Sequence, residues 1–380
     1  MKSLIRLASA GVLAAAAVAT FAGPAVANPL DGTRGPDRGD HVVFVQTDDP
    51  AGNHVIAYDR ADDGTLTQAG TYSTGGKGGV LTGSVVDHLA SQGSLTYDRE
   101  HDLLFAVNAG TNTLAVFAVH GDRLALRQVV SSYGQFPVSV AVHDGLVYAL
   151  NGLGGGSVQG YGIIGGHLVP LFGSHRALGL DPNATPQFVN TPGQVAFSPD
   201  GSQLIVTTKA NGSSIDVFRV GFFGTLSAPV VNAEPGTLPF AVAFDPAGHL
   251  VVTEAMTNAV ASFVLHHDGT VSPLHVVATG QAATCWIVGI GNQLYASNAG
   301  SGSLSRVRSG GGGTLTLLDT TATDPGSVDA AATPNGRYLY VQTGANGIVD
   351  GFRVAADGSL TKIGSTTVPN SIGAEGIVAL

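Results

Sequence analysis

The 380-residue chain is acidic, rich in glycine and poor in charged residues, with 54 glycines, 12% charged residues and a formal net charge of −10. An acidic chain without basic runs does not offer the contacts that nucleic acids or anionic membrane surfaces need, so neither is expected as a partner. The single cysteine, Cys285, cannot form a disulfide within the chain, and we interpret it as a buried structural thiol, with a reactive thiol as the alternative.

The N-terminus has the pattern of a secretory signal peptide over residues 1–27. Lys2 and Arg6 precede an apolar segment, and Ala25-Val26-Ala27 forms a small-residue cleavage site. The apolar segment is shorter than the roughly 18 residues that a membrane-spanning helix needs, so no membrane span is expected. We predict cleavage after Ala27, a flexible leader over residues 28–40, a secreted protein, and a single folded domain over residues 41–380.

Residues 192–220, PGQVAFSPDGSQLIVTTKANGSSIDVFRV, contain three short apolar runs separated by turn signals. The turn signals are Ser198-Pro199-Asp200-Gly201 and Asn211-Gly212. Each run is too short for a helix and is rich in Val, Ile, Phe and Thr, which favours strands. A fourth run is predicted at residues 225–227. Four antiparallel strands in about 35–40 residues are typical of one β-propeller blade.

The same unit recurs seven times along the chain. Its second strand is predicted at residues 43–47, 104–108, 147–151, 204–208, 250–254, 294–298 and 339–343. The first copy lacks its innermost strand, and the C-terminal run GIVAL, residues 376–380, can supply it. The sequence therefore predicts an all-β fold, a seven-bladed β-propeller in which the C-terminal strand completes blade one and removes the open edge.

In a propeller, the first strand of each blade begins on the face where the second strand ends, so residues at these ends converge on the mouth of the central channel. Two long connections, residues 73–92 and 173–192, also lie on this face, and long loops are common sites of function. The candidate ligand-binding residues at the mouth are Asn108, Asn151, Gln194, Lys209, Trp286, Asn298 and Asp329.

Two interpretations of these side chains remain open. They can form a pocket for a small polar ligand, with Trp286 as a stacking surface, or they can cap strand ends and satisfy loop amides. The first interpretation requires that Glu254, Gln194 and Trp286 share one open cavity. If residues 73–92 or 173–192 fill the mouth, both small-ligand interpretations weaken and a surface for protein interaction gains. The predicted partner is a small polar ligand, an extracellular protein or a glycan. No metal site and no cofactor are predicted.

The repeats PGQVAFSPDG…LIVTT…IDVFRV and LPFAVAFDPAG…VVTEA…NAVASFVL resemble the lactonase-type seven-bladed propellers, which include 6-phosphogluconolactonases and carboxymuconate-lactonizing enzymes. SQGSL, NAGTNTLAVF, TCW and SNAGSG resemble an exported branch of that group. The resemblance covers all seven blades. It implies a lactone hydrolase or lactonizing isomerase.

The chain departs from the Arg-His pattern that the resemblance implies for the inner strands. Gly193-Gln194 and Phe240-Ala241 occupy those positions, and Ser94 stands where the enzymes have a His. Glu254 alone matches a charged position of the enzymes' active-site region. We therefore predict a secreted, monomeric binding propeller that has largely lost the catalytic residues. The alternative is a lactonase or cycloisomerase that uses Glu254 as its base.

Overall fold

The structure is a computed structural model that describes residues 41–380, and the predicted signal peptide and leader lie outside the described residues. Seven antiparallel sheets confirm the predicted seven-bladed propeller. Blades 1 to 4 contain β1 (Val42–Gln46), β2 (His54–Arg60), β3 (Leu66–Ser73); β4 (Leu95–Asp98), β5 (Leu103–Asn108), β6 (Thr113–His120), β7 (Arg123–Ser131); β8 (Gln135–His143), β9 (Leu146–Leu153), β10 (Ser157–Ile164), β11 (His167–Pro170), β12 (Arg176–Ala177); and β13 (Val195–Phe197), β14 (Gln203–Thr208), β15 (Ser214–Arg219), β16 (Val230–Ala233).

Blades 5 to 7 follow the same order from the hub outwards. They contain β17 (Pro239–Phe244), β18 (Leu250–Glu254), β19 (Ala259–Leu265), β20 (Val271–Ala278); β21 (Thr284–Ile290), β22 (Gln293–Asn298), β23 (Ser303–Ser309), β24 (Leu315–Ala322); and β25 (Ser327–Ala332), β26 (Tyr338–Thr343), β27 (Ile348–Val354), β28 (Leu360–Thr367). A short helix α1 (Gln187–Asn190) and 3-10 turns at Ala109–Thr111, Phe222–Gly224 and Gly311–Gly313 lie between strands.

The last strand, β29 (Ile377–Ala379), closes the ring as the sequence predicts. It pairs antiparallel with β1, with Val45 opposite Ile377 and Val43 opposite Ala379. The Leu380 amide donates to the Val42 carbonyl at 2.8 Å. Blade 1 therefore combines the two ends of the domain, so it forms only when the whole ring is assembled.

The second strand of each blade is buried on both faces, because every sheet packs between two neighbours. This explains why these strands are almost continuously apolar instead of alternating. A recurrent contact joins successive blades: the tyrosine hydroxyl of a second strand donates to the carbonyl of a turn glycine in the next blade. Tyr295 donates to Gly358 at 2.7 Å, and Tyr340 donates to Gly64 across the closure between blades 7 and 1, also at 2.7 Å.

The fourth strand of blade 4 differs from the prediction. Residues 225–227 form only an isolated bridge, in which Leu226 pairs with Val220, and the regular strand β16 begins at Val230. Pro229 precedes β16 and has no N–H to donate to a ladder. The side chain of Arg176 also occupies the carbonyls of Leu226 and Ser227. The apolar pattern predicted a strand at residues 225–227. Pro229 and Arg176 move the start of the regular strand to Val230.

Candidate functional site

The first long connection crosses the hub on the predicted mouth face, and we call residues 85–92 the plug. The side-chain amide of Gln92 donates to the Ile287 carbonyl at 2.9 Å and its oxygen accepts the Ile287 amide at 2.8 Å. The backbone amide of Gln92 donates to the Gly193 carbonyl at 3.1 Å, and that of His88 donates to Gly373 at 2.7 Å. The plug is therefore fixed to the inner parts of blades 4 and 6 and to the link between blades 7 and 1.

Four carboxylic acids lie buried around the base of the plug: Asp48, Asp87, Asp329 and Glu375. The Glu375 carboxyl accepts the Ser94 amide at 3.1 Å and the Ser91 hydroxyl at 3.3 Å. The backbone amide of Glu375 donates to the Asp48 carboxyl at 2.8 Å. The two Asp87 oxygens accept the amides of Leu89 and Ser91. These bonds connect the plug to the segment that leads into the closing strand.

Burial is the main cause of the unusual protonation of these acids, since an ionised carboxylate loses its hydration there. It raises the pKa of Asp48 to about 8, of Asp329 to about 7 and of Asp87 to about 6. The pKa of Glu375 is also well above its usual range, through burial and the neighbouring acids. The cluster therefore carries protons near neutral pH. Within residues 41–380 no three acidic, His or Cys side chains are placed to hold a metal ion.

Beside the plug, on the same face, lies a cavity of about 290 Å³ between the plug and blades 4, 5 and 6. Its walls are almost entirely apolar. They are formed by Val85, Val86, Asp87, Ala90, Phe188, Val189, Lys209, Leu238, Phe240, Ala255, Met256, Ala283, Cys285, Trp286 and Ala299. Val85 and Met256 are 78% and 62% exposed, so they form an apolar rim where the cavity meets solvent.

Of the predicted ligand-binding residues, the structure brings Lys209 and Trp286 together in this cavity. Trp286 packs edge-to-face on Phe240, with ring centroids 5.0 Å apart. The Lys209 Nζ lies 5.2 Å from the centre of the Phe240 ring. Lys209 directly follows β14 in blade 4, and Trp286 lies in β21 of blade 6. Both side chains lie against Phe240 of blade 5, and only the ring geometry brings them close.

Cys285, adjacent to Trp286, is a buried free thiol, as predicted. It lines the same cavity. Burial raises its pKa to about 12, with a smaller opposing effect from Lys209. A thiol with so high a pKa is a poor nucleophile at neutral pH, because the thiolate is the reactive form.

The three predicted asparagines have a different environment. Asn108 and Asn298 end second strands, Asn151 lies two residues before the end of one, and each bonds to neighbouring polar groups. Asn108 accepts from Thr74 at 2.6 Å and from Asn53 at 3.1 Å. Asn298 accepts from Thr284 at 2.6 Å and donates to two serines. Asn151 donates to the Ser132 carbonyl and to the Ser157 hydroxyl. These contacts correspond to the strand-end interpretation that the sequence left open.

Gln194, Asp329 and Glu254 lie outside the apolar cavity. Gln194 and Asp329 line the central channel, a second cavity of about 390 Å³ formed by the inner strands, and Gln194 accepts the Val242 amide at 2.7 Å. Glu254 accepts the Thr257 hydroxyl at 3.0 Å, and burial raises its pKa. Glu254, Gln194 and Trp286 therefore do not share one cavity.

The sequence did not identify Gln92, Phe240 or Asp87 as parts of the site. Residues 73–92 were singled out only as a long connection, and the Asp87-His88 pair within it was the one available signal. Gln92 reaches blade 6 from the entrance of blade 2, on the far side of the hub. No local pattern encodes that contact.

Comparison with known proteins supports the fold. No protein-family model and no curated protein matches the sequence. Among solved structures, a periplasmic gluconolactonase from Pseudomonas aeruginosa matches at 18% identity and a TM-score of 0.71, covering 89% of this chain and 98% of that one. A protein from Lactobacillus plantarum matches at 20% identity and a TM-score of 0.71, with the same coverage of 89% and 98%.

A proposed 6-phosphogluconolactonase from Bacteroides fragilis is also similar, at 19% identity and a TM-score of 0.69, covering 89% of this chain and 97% of that one. At such identities the likeness concerns architecture and carries no assignment of activity. Among residues 41–380 no helix is long and apolar enough to cross a bilayer. In fold, the chain is a seven-bladed β-propeller, an architecture similar to that of the gluconolactonase and of the other two solved structures.

Proposed function

We propose that this protein is a ligand-binding propeller whose site is the cavity beside the plug, and that it does not hydrolyse lactones. The observation that carries the proposal is the plug, which covers the hub and leaves an apolar cavity with a rim at the surface. Enclosed apolar walls with a few convergent polar groups are typical of small-molecule sites. This cavity differs from the pocket that the sequence predicts, because Glu254, Gln194 and Trp286 do not share one cavity. The ligand that fits its walls is accordingly more apolar than the predicted polar ligand.

The groups needed to open a lactone do not converge on this cavity. A hydrolase requires a general base at the attacking water and a donor or cation at the developing oxyanion. The predicted base, Glu254, is not among the lining residues, and Arg176 of the second long loop bonds to backbone carbonyls of blade 4. Asp87 does line the cavity, but its two oxygens already accept backbone amides. These contacts support binding without turnover.

A lactonase with Glu254 as its base is the competing proposal. Two observations favour it: the fold that the chain shares with a gluconolactonase, and the raised pKa of Glu254, which brings a carboxyl closer to the range of a general base. The purified protein should be assayed against a panel of sugar and aliphatic lactones, with Glu254→Gln as the matched variant. Turnover that Glu254→Gln abolishes would contradict the binding proposal. Absence of turnover on every lactone would contradict the proposal of a lactonase.

Binding itself can be followed through Trp286, because it is the only tryptophan of the chain and it lines the cavity. A small neutral apolar probe, cyclohexylmethanol, should change the tryptophan emission in a saturable manner. Leu238→Asp, which places an uncompensated charge in the wall, should abolish that change. We expect saturable binding to the wild type. If no apolar probe binds, whether its head group is neutral or charged, the proposal is overturned.

We further propose that the protein acts outside the cytoplasm as a monomer, after removal of residues 1–27. The support for export is the signal-peptide pattern of the sequence. N-terminal sequencing of protein from the culture medium should begin at Asn28, and light scattering should give the mass of one chain. Retention of Met1 in the mature protein would contradict export.

A further inference from the structure

The apolar cavity contains one amine that is held by backbone oxygens. Lys209 is 1% exposed, and its Nζ donates to the Ala90 carbonyl at 2.5 Å and to the Phe188 carbonyl at 2.6 Å. Ala90 and Phe188 themselves line the cavity. Because an ammonium group carries three hydrogens, these two bonds leave one donor for a further acceptor.

No carboxylate within residues 41–380 lies close enough to Lys209 to form an ion pair at 4.0 Å. The ionisable groups whose charges act on it are Asp87 and Cys285, and Cys285 is a neutral thiol at physiological pH. The Asp87 oxygens already accept the amides of Leu89 and Ser91. The site therefore holds a cation with backbone dipoles around it and no direct counter-ion.

Such a cation is costly to bury, since two carbonyls replace only part of its hydration. This cost appears as a pKa for Lys209 that burial lowers to about 7. An anionic group that reached the free N–H would form a charge-assisted hydrogen bond in a water-poor environment, where such bonds are strongest. The lysine thus offers a ligand the interaction that the protein itself leaves incomplete.

The size and the walls of the cavity define the rest of the ligand. A cavity of about 150 Å³ lined by aliphatic and aromatic side chains holds benzene, and this cavity has about 290 Å³. It therefore accommodates roughly ten non-hydrogen atoms. Sugar hydroxyls would lose their hydrogen bonds to water against walls made of Phe240, Trp286, Leu238 and alanines. The body of the ligand is accordingly apolar.

We propose that the cavity binds a small apolar carboxylic acid, with the carboxylate on Lys209 Nζ and the hydrocarbon part against Phe240 and Trp286. This inference rests on the proposed function, because it identifies the class of ligand for the same cavity. An apolar acid as the ligand distinguishes this cavity from a binding site for sugar phosphates or sugar acids. A polar acid has the same head group but lacks the body that fits the walls.

The test uses three probes on the purified protein at pH 6.5, read through the fluorescence of Trp286: cyclohexanecarboxylate, cyclohexylmethanol and gluconate. Cyclohexanecarboxylate should bind about tenfold or more tightly than the alcohol, and gluconate should not bind. Equal affinity for the acid and the alcohol would overturn the inference and leave the proposed function intact. If none of the apolar probes binds, the proposed function itself fails.

Lys209→Met keeps a long apolar side chain and removes the charge. It should lose the preference for cyclohexanecarboxylate over cyclohexylmethanol. Lys362→Met is the matched control, because Lys362 pairs with Asp324 and Asp350 at the rim of blade 7, away from the cavity. Its probe affinities should equal those of the wild type.

A second measurement needs no variant. Between pH 6.5 and 8.5, where Asp87 is already largely ionised and Cys285 is still protonated, Lys209 loses its proton. The pKa values of Asp329 and Asp48, about 7 and about 8, fall in the same interval, but neither residue lines the cavity. The affinity for cyclohexanecarboxylate should fall across this interval while that for cyclohexylmethanol stays constant. An affinity for the acid that does not change with pH would overturn the role of Lys209, even if the variant fails to fold.

Discussion

The indole Nε1 of Trp286 donates a hydrogen bond of 2.5 Å to the carbonyl of Ser91, and this bond joins blade 6 to a loop that leaves blade 1. One side chain thereby has two roles. Its N–H anchors the plug, and its ring forms part of the wall of the cavity. The same contact that covers the hub also shapes the space beside it.

The plug should depend strongly on the side chain of Gln92. Gln92→Ala removes two hydrogen bonds and leaves the amide and carbonyl of Ile287 without partners in a covered region. We expect the free energy of unfolding to fall by about 2–4 kcal/mol, because unpaired buried polar groups lose their hydration without compensation. Urea denaturation measures the change, and hydrogen exchange should increase at residues 85–92.

Gln68→Ala is the matched control for that prediction. Gln68 is exposed on the outer strand of blade 1 and bonds only to the neighbouring Thr71 hydroxyl. Its loss should change the free energy of unfolding by less than about 0.5 kcal/mol, as is usual for surface positions. Equal effects of the two substitutions would show that the plug is not held by Gln92.

The buried acids should make stability depend on pH in a definite direction. Because the pKa of Asp48 is raised to about 8 in the folded state, the folded protein retains a proton that the unfolded chain loses above about pH 4. This contribution to stability is complete below the unfolded pKa and is lost as the pH rises towards 8. Asp48→Asn should therefore become increasingly stable relative to the wild type between pH 5 and 8.

Asparagine suits this position, since Asp48 has a φ of 51°, in the left-handed region that asparagine tolerates. Thermal unfolding followed by circular dichroism at pH 5, 6, 7 and 8 gives the difference in Tm between the two proteins. A difference that is the same at every pH would contradict the raised pKa of Asp48.

Gly376 marks the point where the closing strand begins, and it requires the absence of a side chain. Its φ is +112°, and a Cβ there would lie 2.3 Å from the Ser94 hydroxyl and 3.2 Å from the Gln46 side chain. Gly376→Ala should lower the free energy of unfolding by more than about 2 kcal/mol, through backbone strain and overpacking together. Denaturant unfolding measures this loss.

Gly248→Ala separates the effect of backbone strain from that of overpacking. Gly248 has a φ of +85°, but no atom would lie within 4 Å of its Cβ. Only the backbone penalty applies there, and a loss of about 1–2 kcal/mol is expected. If Gly376→Ala costs no more than Gly248→Ala, the close packing at the ring closure does not limit stability.

Cys285 should be protected from modification in the folded protein. Burial and a pKa of about 12 keep both access and thiolate content low. At pH 8 the reaction with a thiol-specific chromogenic disulfide should be slow without denaturant and rapid in urea. Because the chain has one cysteine, the absorbance reports this site alone. Fast labelling of the folded protein would indicate that the cavity is open enough to admit the reagent.

The second strands show how much of the fold could be predicted from the sequence. Residues such as Leu250–Glu254 were located to the residue, and the others to within one or two residues at each end. The reason is local: short β-branched runs between glycine and proline turns favour strands wherever they occur. The closing role of residues 376–380 followed from counting strands, since one blade was short of one.

The site could be predicted only in part. Ring geometry placed Lys209 and Trp286 at one mouth, and both line the cavity. It gave no reason to separate them from Gln194 or Glu254, which lie outside the cavity. The pairing of each strand end with the loop above it decides whether a polar side chain faces a cavity or a neighbouring strand. Asn108 and Asn298 form such pairs.

The sequence by itself determined the number of blades, their strand order and the closure of the ring, because repeated local patterns and turn residues encode them. The tertiary structure decided what fills the hub. Gln92 and Ser91 are remote in sequence from Ile287 and Trp286, and their hydrogen bonds form only when blades on opposite sides of the ring are held in place. The charge of Asp87 likewise acts on Lys209 only in the assembled ring. Packing at the hub places the plug over the mouth and leaves an apolar cavity beside it. No pattern within a single blade encodes this arrangement.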